Sequence, residues 1–486
     1  MHKINIKNKI LENTQNYENK YDKQYRKEKS QFFTPLYIAQ YMVELFSIDP
    51  EKKEIKILDP AGGTGILSLF LLLHLLDYSI EKLTLDIYEI DQNVVPVLKQ
   101  NVNIVKKEFE KSNKSLNINI YIKNFLTYPK KTKYDLIIGN PPYKKIKKDN
   151  EDAQTIKDFL NGQPNLYMVF IVQSLKLLSE NSELVFIVPR SFFNGKYFLK
   201  LRKFIYDNYS ISYIHSFKSR SKIINDEVLQ ELIIIKIANY EINSISITSS
   251  TNDKDIQNNR SIELSKEIIW SDNGQRNIRL PTNNEDVNLL MAFNKFDKTF
   301  KDLGLLFRTG SVVDFRVKNG IRESKSKNSV PLIWCANFSL YQIKWPIETA
   351  KFKQYIDYDG NQNILHPSDD YILVKRFATK KTVKGLCVNV LFEEQLDYNF
   401  IGFENHVNYL KFGDNKEFMK AVFILLNSNY YNQYFHIING TTQINITDLN
   451  NLPIFPYEVL IEISNTKLPY SKLTCEQCDS IIEPYL

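Results

Sequence analysis

Residues 140–143 are Asn, Pro, Pro and Tyr, and they close the apolar run YDLIIG that begins at Tyr134. Pro141 and Pro142 donate no backbone hydrogen bond, so a strand ladder ends there. What remains is a pair of rigidly placed acceptors, the side-chain oxygen of Asn140 and the backbone oxygen of Pro141. Two such acceptors suit an exocyclic amine on a nucleobase, a poor nucleophile because its lone pair is delocalised into the ring. Accepting both amine protons favours a tetrahedral nitrogen with its lone pair aimed at an electrophile, and preorganised acceptors cost little reorganisation in the transition state. Tyr143 supplies a face on which the base can stack, an interaction worth roughly 1 to 3 kcal/mol. No strong base is needed. Lys144, Lys145, Lys147 and Lys148 follow directly and either hold phosphates or face water.

Three further groups of residues describe a ligand site. DPAGGTG, residues 59–65, follows one apolar run and opens another, the strand-to-helix turn at which open α/β sheets bind nucleotide-like ligands. Its glycines let the backbone approach a ligand and take positive φ. Only Gly63 and Gly65 keep the phase of a dinucleotide fingerprint, and Ser68 stands where the third glycine belongs, which disfavours nicotinamide or flavin. A purely structural tight turn is the plain alternative. Glu89 ends the second apolar run, where an acidic residue accepts both ribose hydroxyls or is simply a solvated charge. Asn124 and Phe125 end the third: an amide for an adenine edge and a ring for its face, or a turn and a core contact. Together the three strand ends describe one adenosine-shaped site.

These groups converge only if the strands that carry them lie side by side. The runs IKILDP, LTLDIYEID, INIYIKNF, YDLIIGN, ELVFIVP (183–189) and LQELIIIKI (229–237) read as strands. Residues 66–76, 93 to about 110, and 165–178 read as helices between them. Such alternation predicts a doubly wound, mostly parallel sheet. Thr34 followed by Pro35 predicts a helix start, with threonine as cap and proline at the first helical position. Residues 1–29 form a charged segment without clear apolar period, and 239–262, rich in Asn, Ser and Asp, read as a loosely packed connection. Further on, PLIWCA, YILVKRF and the helical run EFMKAVFILLNSNYY predict a second domain of mixed structure. The expected division is a charged segment over 1–29, an α/β domain over 30–245, a connection over 246–297 and a second domain over 298–486.

At 486 residues the chain accommodates two or three domains with sizeable cores. With 43% apolar and 24% charged residues it has the composition of an ordinary soluble globular protein, which excludes extended disorder. A net charge of +7 is compatible with a polyanionic partner but is spread over a large surface. Cys335, Cys387, Cys475 and Cys478 are too few and scattered for a disulfide framework and point to a reducing cytosol. Cys475 and Cys478 form a CxxC without a second pair or a neighbouring histidine, so no metal is expected. The longest apolar run, residues 66–76, contains His74 and is too short to span a membrane.

The order of these motifs resembles the gamma class of DNA adenine-N6 methyltransferases, whose methyl donor is S-adenosylmethionine. QFFTP (31–35), DPAGGTG, YEID (88–91), NF (124–125) and NPPY match that class in order, and NLY (165–167), PRSFFNG (189–195) and VLQE (228–231) continue the match. TGSVVDFR (309–316), KRFATKK (375–381), FENHVNY (403–409) and GTTQINITDL (440–449) resemble the target-recognition region of stand-alone type II modification methylases. The resemblance implies a Rossmann-like S-adenosylmethionine-dependent methyltransferase domain followed by a mixed α+β target-recognition domain. It implies that Gln31, Thr34, Pro35, Asp59, Pro60, Ala61, Gly62, Gly63, Gly65, Glu89, Ile90, Asn124 and Phe125 surround the cofactor. Asn140, Pro141, Pro142 and Tyr143 would hold the target adenine. Position 124 departs from the pattern, with Asn where the class usually has Asp. Ahead of VLQE, where many relatives carry an aromatic against the flipped base, this chain has Ile223 and Ile224, with Phe217 as the alternative.

Double-stranded DNA is the implied partner, its target base extruded into the pocket at a cost of a few kcal/mol. The candidate DNA contacts are Lys144, Lys145, Arg190, and a cluster of Lys375, Arg376, Lys380, Lys381 and Lys384 with Phe377 interleaved. Asn405 and Gln443 suit adenine edges in the major groove, or cap turns; His406 is a further candidate, though it equally suits a structural role. The expected activity is N6-adenine methylation at a specific sequence by a cytoplasmic monomer without a membrane partner. The residues ahead of QFFTP are too few for a fused nuclease, so a restriction endonuclease acting on the same site would be a separate chain. The alternatives are transfer to another planar nitrogen, on RNA adenine or protein glutamine, and a non-catalytic DNA-binding relative.

Overall fold

Beginning at Ile55, the apolar runs fold into parallel strands joined by helices, as their alternation requires. The computed structural model describes residues 2–128, 131–217, 231–257, 260–271, 274–317, 320–348, 351–377, 385–439 and 443–486. The expectations placed on Ile223 and Ile224, and on Lys380, Lys381 and Lys384, fall outside these residues. The chain divides into two compact units, Met1–Thr282 and Asn283–Leu486.

The first unit starts with α1 (His2–Lys20), α2 (Lys23–Glu28) and α3 (Leu36–Glu44). Alternation follows: β1 (Glu54–Asp59), α4 (Ile66–Leu75), β2 (Lys82–Tyr88), α5 (Val95–Phe109), β3 (Ser115–Tyr121) and β4 (Tyr134–Gly139). After α6 (Glu151–Gln154) and α7 (Leu166–Leu175) come β5 (Leu178–Pro189), α8 (Leu199–Asn208), β6 (Ser210–Phe217), β7 (Leu232–Ala238), β8 (Ser244–Ser250) and β9 (Ile262–Ser265). The nine strands form one sheet in the order β3-β2-β1-β4-β5-β7-β6-β8-β9. Strands β3 to β5 in that row are mutually parallel, and β7 runs antiparallel between β5 and β6. Every residue of β7 is buried, which suits its run of isoleucines.

Helix α4 is buried on all sides except at His74, because α1, α3 and α5 pack around it. This corrects the reading of residues 1–29. Ile6, Ile10, Thr14 and Tyr17 form the buried stripe of α1 at helical spacing. Half of that stripe is polar in type, which hid the period. The Thr14 hydroxyl donates to Thr64 Oγ1 at 2.8 Å, so the polar residue is satisfied where it meets the glycine-rich turn.

Two more expectations need correction. Helix α3 begins at Leu36 with Pro35 in the extended cap position, and Thr34 makes no cap; its side chain faces Asn140 instead. The segment read as a connection contributes β8 and β9 to the main sheet. Thr248 and Ser250 of β8 are buried because they bond across the sheet, flanking the His215 imidazole at 2.7 and 2.9 Å.

The second unit opens earlier than residue 298, with a helix at Asn284–Phe293 capped by the Asn283 side chain. Phe293 stacks on Tyr434 at 4.5 Å, which ties this helix to the unit. Two small sheets follow, of four and five strands, and they include Ser329–Ile333 and Tyr371–Lys375. The expected single helical run splits into Met419–Asn427 and Asn429–Ile438 at Ser428, whose hydroxyl caps the second helix through Tyr431 N. Among the described residues no helix is long and apolar enough to cross a membrane.

Lys236, buried in the middle of β7, pairs with the Glu183 carboxylate of β5 at 3.0 Å. Removing one partner of a buried pair leaves an uncompensated charge. Glu183→Gln is expected to lower stability by about 3 kcal/mol. Urea unfolding measures it, and an unchanged midpoint would contradict the expectation.

Candidate functional site

Parallel pairing aligns Asp59 with Ile87, Ile87 with Ile120 and Leu58 with Ile137, so the residues after β1, β2, β3 and β4 meet at one sheet edge. The chain order reverses between β1 and β4, the point at which open α/β sheets carry ligand crevices. A cavity of about 680 Å³ lies there, within the range of small-molecule sites.

Its floor is the turn after β1. Gly62 N donates to Tyr88 O at 2.9 Å, and a Cβ at Gly62 would stand 2.3 Å from Ile87 Cγ2. Only glycine allows that approach. Gly63, at φ +55°, donates its N–H to Glu89 Oε2 at 2.8 Å, while Glu89 Oε1 accepts from Asp91 N at 2.7 Å. The Glu89 carboxylate is thus gripped by two backbone donors while burial raises its pKa. Asp59 accepts from Ser68 Oγ at 2.7 Å and from Ala61 N at 3.3 Å. Ser68 therefore has a structural task where a dinucleotide site has glycine. Burial pushes the Asp59 carboxyl up to about 7, against the opposing hydrogen bonds from Ser68 and Ala61. Pro60, Ala61 and the exposed Ile90 complete this side, whereas Gly65 sits behind it as the left-handed cap of α4.

The facing wall is the segment from Glu28 to Thr34, and Pro35 lies just beyond it. Gln31 Nε2 donates to Asp91 Oδ2 at 2.6 Å, Tyr17 OH donates to Gln31 Oε1 at 3.1 Å, and Tyr25 OH donates to Asp91 Oδ2 at 3.0 Å. Asp91 and the two tyrosines were missed as site residues, although YEID ends on Asp91. Phe33 packs over Gly63, which a Cβ there would meet at 3.2 Å. On the third side Phe125 is buried, stacked on Phe170 at 5.8 Å and edge-on to Tyr88 at 5.3 Å. Beside it, Asn124 Oδ1 accepts from Leu126 N at 3.0 Å and its Nδ2 donates to Asp152 Oδ1 at 2.6 Å.

Asn140 stands at the tip of β4. Its Nδ2 donates to Phe32 O at 2.9 Å and to Thr34 Oγ1 at 3.2 Å, and its Oδ1 accepts from Tyr143 OH at 2.5 Å. These partners decide which end of the amide is oxygen. Tyr143 was expected as an open stacking face, but it is only 6% exposed, with its ring parallel to Phe32 at a centroid distance of 6.4 Å. Burial drives its hydroxyl pKa upward, so it remains a donor. Phe32 was missed, although it lies inside QFFTP. Pro141 is buried, and Pro142 and Lys144 line the cavity. Lys145, Lys147 and Lys148 are exposed. Phe217 is buried against His215 and does not line the cavity. Arg190 is also placed differently from the expectation: it is 5% exposed and paired with Glu231 at 2.8 Å, because a charge at the end of β5 needs a partner once buried.

Comparison with known proteins decides the family. The family model described as Eco57I restriction-modification methylase matches residues 61–223. The chain is 32% identical to the type II methyltransferase M.BsuBI of Bacillus subtilis over 457 residues, covering 90% of each chain. The chain belongs to the type II methyltransferases of restriction-modification systems. M.PstI of Providencia stuartii is 30% identical to this methyltransferase over 96% of its chain and 94% of the relative. The type IIL restriction-modification enzyme MmeI, solved in complex with DNA, has a similar fold, with TM-score 0.55 and 12% identity over 89% of this chain and 70% of that one. DrdV in a DNA complex gives TM-score 0.51 at 13% identity, over 89% of this chain and 56% of that one.

In the second unit of the methyltransferase, Lys375, Arg376, Asn405, His406 and Gln443 come together from three separate stretches. Arg376 donates through Nη1 to Asn405 O at 3.0 Å, and its Nε and Nη2 reach the Gln443 side-chain oxygen at 3.1 and 2.8 Å. Its guanidinium braces loops instead of standing free, and Gln443 is engaged in the same brace. Lys375 lies over the Phe338 ring at 5.3 Å. Glu404, buried and missed from sequence, accepts from His406 Nδ1 at 2.6 Å and His406 N at 3.0 Å. That grip fixes the tautomer and turns Nε2 of a half-exposed imidazole outward, beside the exposed Phe377 ring at 5.3 Å.

A carboxyl with a raised native pKa holds its proton more tightly when folded, so its contribution to stability falls as pH climbs from the unfolded value near 4 to the native value. For Asp59 that window ends at about 7. The stability of Asp59→Asn relative to the parent protein should therefore rise between about pH 4 and pH 7 and level off above. Urea unfolding of both proteins across this range measures it, and a constant difference would contradict the raised value.

Proposed function

We propose that this methyltransferase transfers a methyl group from S-adenosylmethionine to N6 of adenine within a specific duplex DNA sequence. The modification protects that sequence from a cognate restriction endonuclease. The observation that carries the reading is the fixed orientation of Asn140 at the cavity, with its nitrogen held by Phe32 and Thr34 and its oxygen left as acceptor.

The cavity suits the cofactor by volume and by donor set. Glu89 would take the ribose hydroxyls, Asn124 and Phe125 the adenine edge and face, and the glycine turn the remainder beside Asp59 and Thr34. When bound, S-adenosylmethionine supplies an electrophilic methyl group on sulfur. Asn140 Oδ1 has two acceptor directions: Tyr143 OH occupies one, and the second accepts from the target amine. Sharing that amine with the Pro141 carbonyl favours the tetrahedral nitrogen that attacks. Phe32, which lines the cavity, provides an apolar face for an extruded base, and the buried Tyr143 ring lies parallel to it. In the second unit, His406 and Phe377 form the exposed part of a DNA-reading surface that the buried Glu404 and the paired, half-buried Arg376 and Gln443 hold in shape.

Incubation with labelled S-adenosylmethionine and duplex DNA, followed by nucleoside analysis, should yield N6-methyladenine. Label in RNA, protein or cytosine would overturn the reading. Asn140→Ala should lower kcat by about 100- to 1,000-fold with cofactor and DNA affinity near normal; loss of cofactor binding instead would misplace the catalytic group. His406→Ala should weaken binding to the cognate duplex by about 1 to 3 kcal/mol while leaving non-specific binding unchanged. Equal losses on both duplexes would make His406 a structural residue.

A further inference from the structure

We infer that Asp152 is a positioning residue for the cofactor's adenine, acting by fixing the amide of Asn124; the inference rests on the S-adenosylmethionine reading above. Asn124 lines the cavity just beyond β3. Its oxygen accepts from the Leu126 N–H at 3.0 Å and its nitrogen donates to the Asp152 carboxylate at 2.6 Å. A donor on one side and a pure acceptor on the other leave the amide a single orientation.

An amide oxygen has two acceptor directions and an amide nitrogen two protons. Each anchor uses one of them. Asn124 therefore keeps one acceptor and one donor side by side for the ligand. Adenine presents the complementary pair, an amino donor next to a ring-nitrogen acceptor. Hypoxanthine presents the reverse, a carbonyl acceptor next to a ring N–H donor, and matching it would require the amide to turn over. Asp152 forbids that turn because a carboxylate accepts only. The Asp152 backbone is itself held in place, since its N–H donates to the Asn150 side chain at 3.0 Å at the start of α6. The same geometry explains why position 124 carries Asn rather than Asp in this chain. A carboxylate at 124 would face a second carboxylate across 2.6 Å, and like charges at that distance repel strongly.

The test is titration calorimetry of the full-length protein and its variants with two probes, S-adenosylhomocysteine and S-inosylhomocysteine, with thermal melting to confirm folding. The parent protein should prefer the adenosyl ligand by about tenfold or more. Asp152→Asn, which removes one of the two anchors that exclude the turned amide, should reduce that preference at least about fivefold, a change that a merely structural contact would not produce. Asn124→Asp should weaken adenosyl binding by about tenfold, and adding Asp152→Asn to it should restore most of the loss. An unchanged preference in Asp152→Asn, or no recovery in the double variant, would overturn the inference. If the parent protein binds neither ligand, the cofactor reading itself fails and the inference falls with it.

Discussion

Backbone hydrogen bonding between β1 and its parallel neighbours β2 and β4 carries all three strands in the same sense, so their carboxyl ends share one edge of the sheet. Everything at the site depends on that alignment. The glycine turn reaches across to β2 because Gly62 has no Cβ to keep it away from Ile87. Glu89 then closes the turn from the other strand by accepting from Gly63 N. The acidic residue is therefore part of the turn's own structure as well as a group that faces the cavity. Reversal of strand order between β1 and β4 opens the crevice, and the tip of β4 places Asn140 against it.

Parallel pairing alone leaves that crevice open on one side. The N-terminal helices hold the missing wall, residues 28–34, against the turn through polar contacts. Thr14 meets Thr64 on the glycine turn, and Tyr17 and Tyr25 reach Gln31 and Asp91. The chain then crosses the cavity at residues 28–34, where Phe32 lends its backbone oxygen to Asn140. A side chain at the end of the fourth strand is thus oriented by the main chain of a segment that precedes the first. Because the amide nitrogen is committed there, the oxygen is available as acceptor, and the chemistry of NPPY becomes directional.

The same logic recurs wherever an amide or a charge is buried. Buried polar groups need partners, and in this protein the partner often decides what the remaining valences can do. Glu404 holds one nitrogen of His406 and leaves the other outward. Arg376 is consumed by Asn405 and Gln443, which makes it a brace. Arg190 is drawn to Glu231. Residue type at these positions suggested contact with DNA; in the structure Arg190 is buried against Glu231, and Arg376 is paired with Asn405 and Gln443.

The alternation of apolar runs, the glycine turn and NPPY were legible in the sequence because each is a local pattern, set by backbone requirements within a few residues. Those patterns were enough to place the sheet and the edge at which the cavity lies. Less legible were elements whose burial depends on polar side chains. Helix α1 and strand β8 bury threonine and serine, and those residues carry no apolar period until their partners Thr64 and His215 are present. The roles of Thr34, Phe32, Asp91, Asp152 and Glu404 were set by contacts between residues mostly distant in the chain. Sequence by itself determined which chemical groups stand at the strand ends, because strand length and turn type are local. Only the tertiary structure decided which way those groups face and which are already spent, because hydrogen-bond partners are chosen in space and each donor or acceptor has few valences to give.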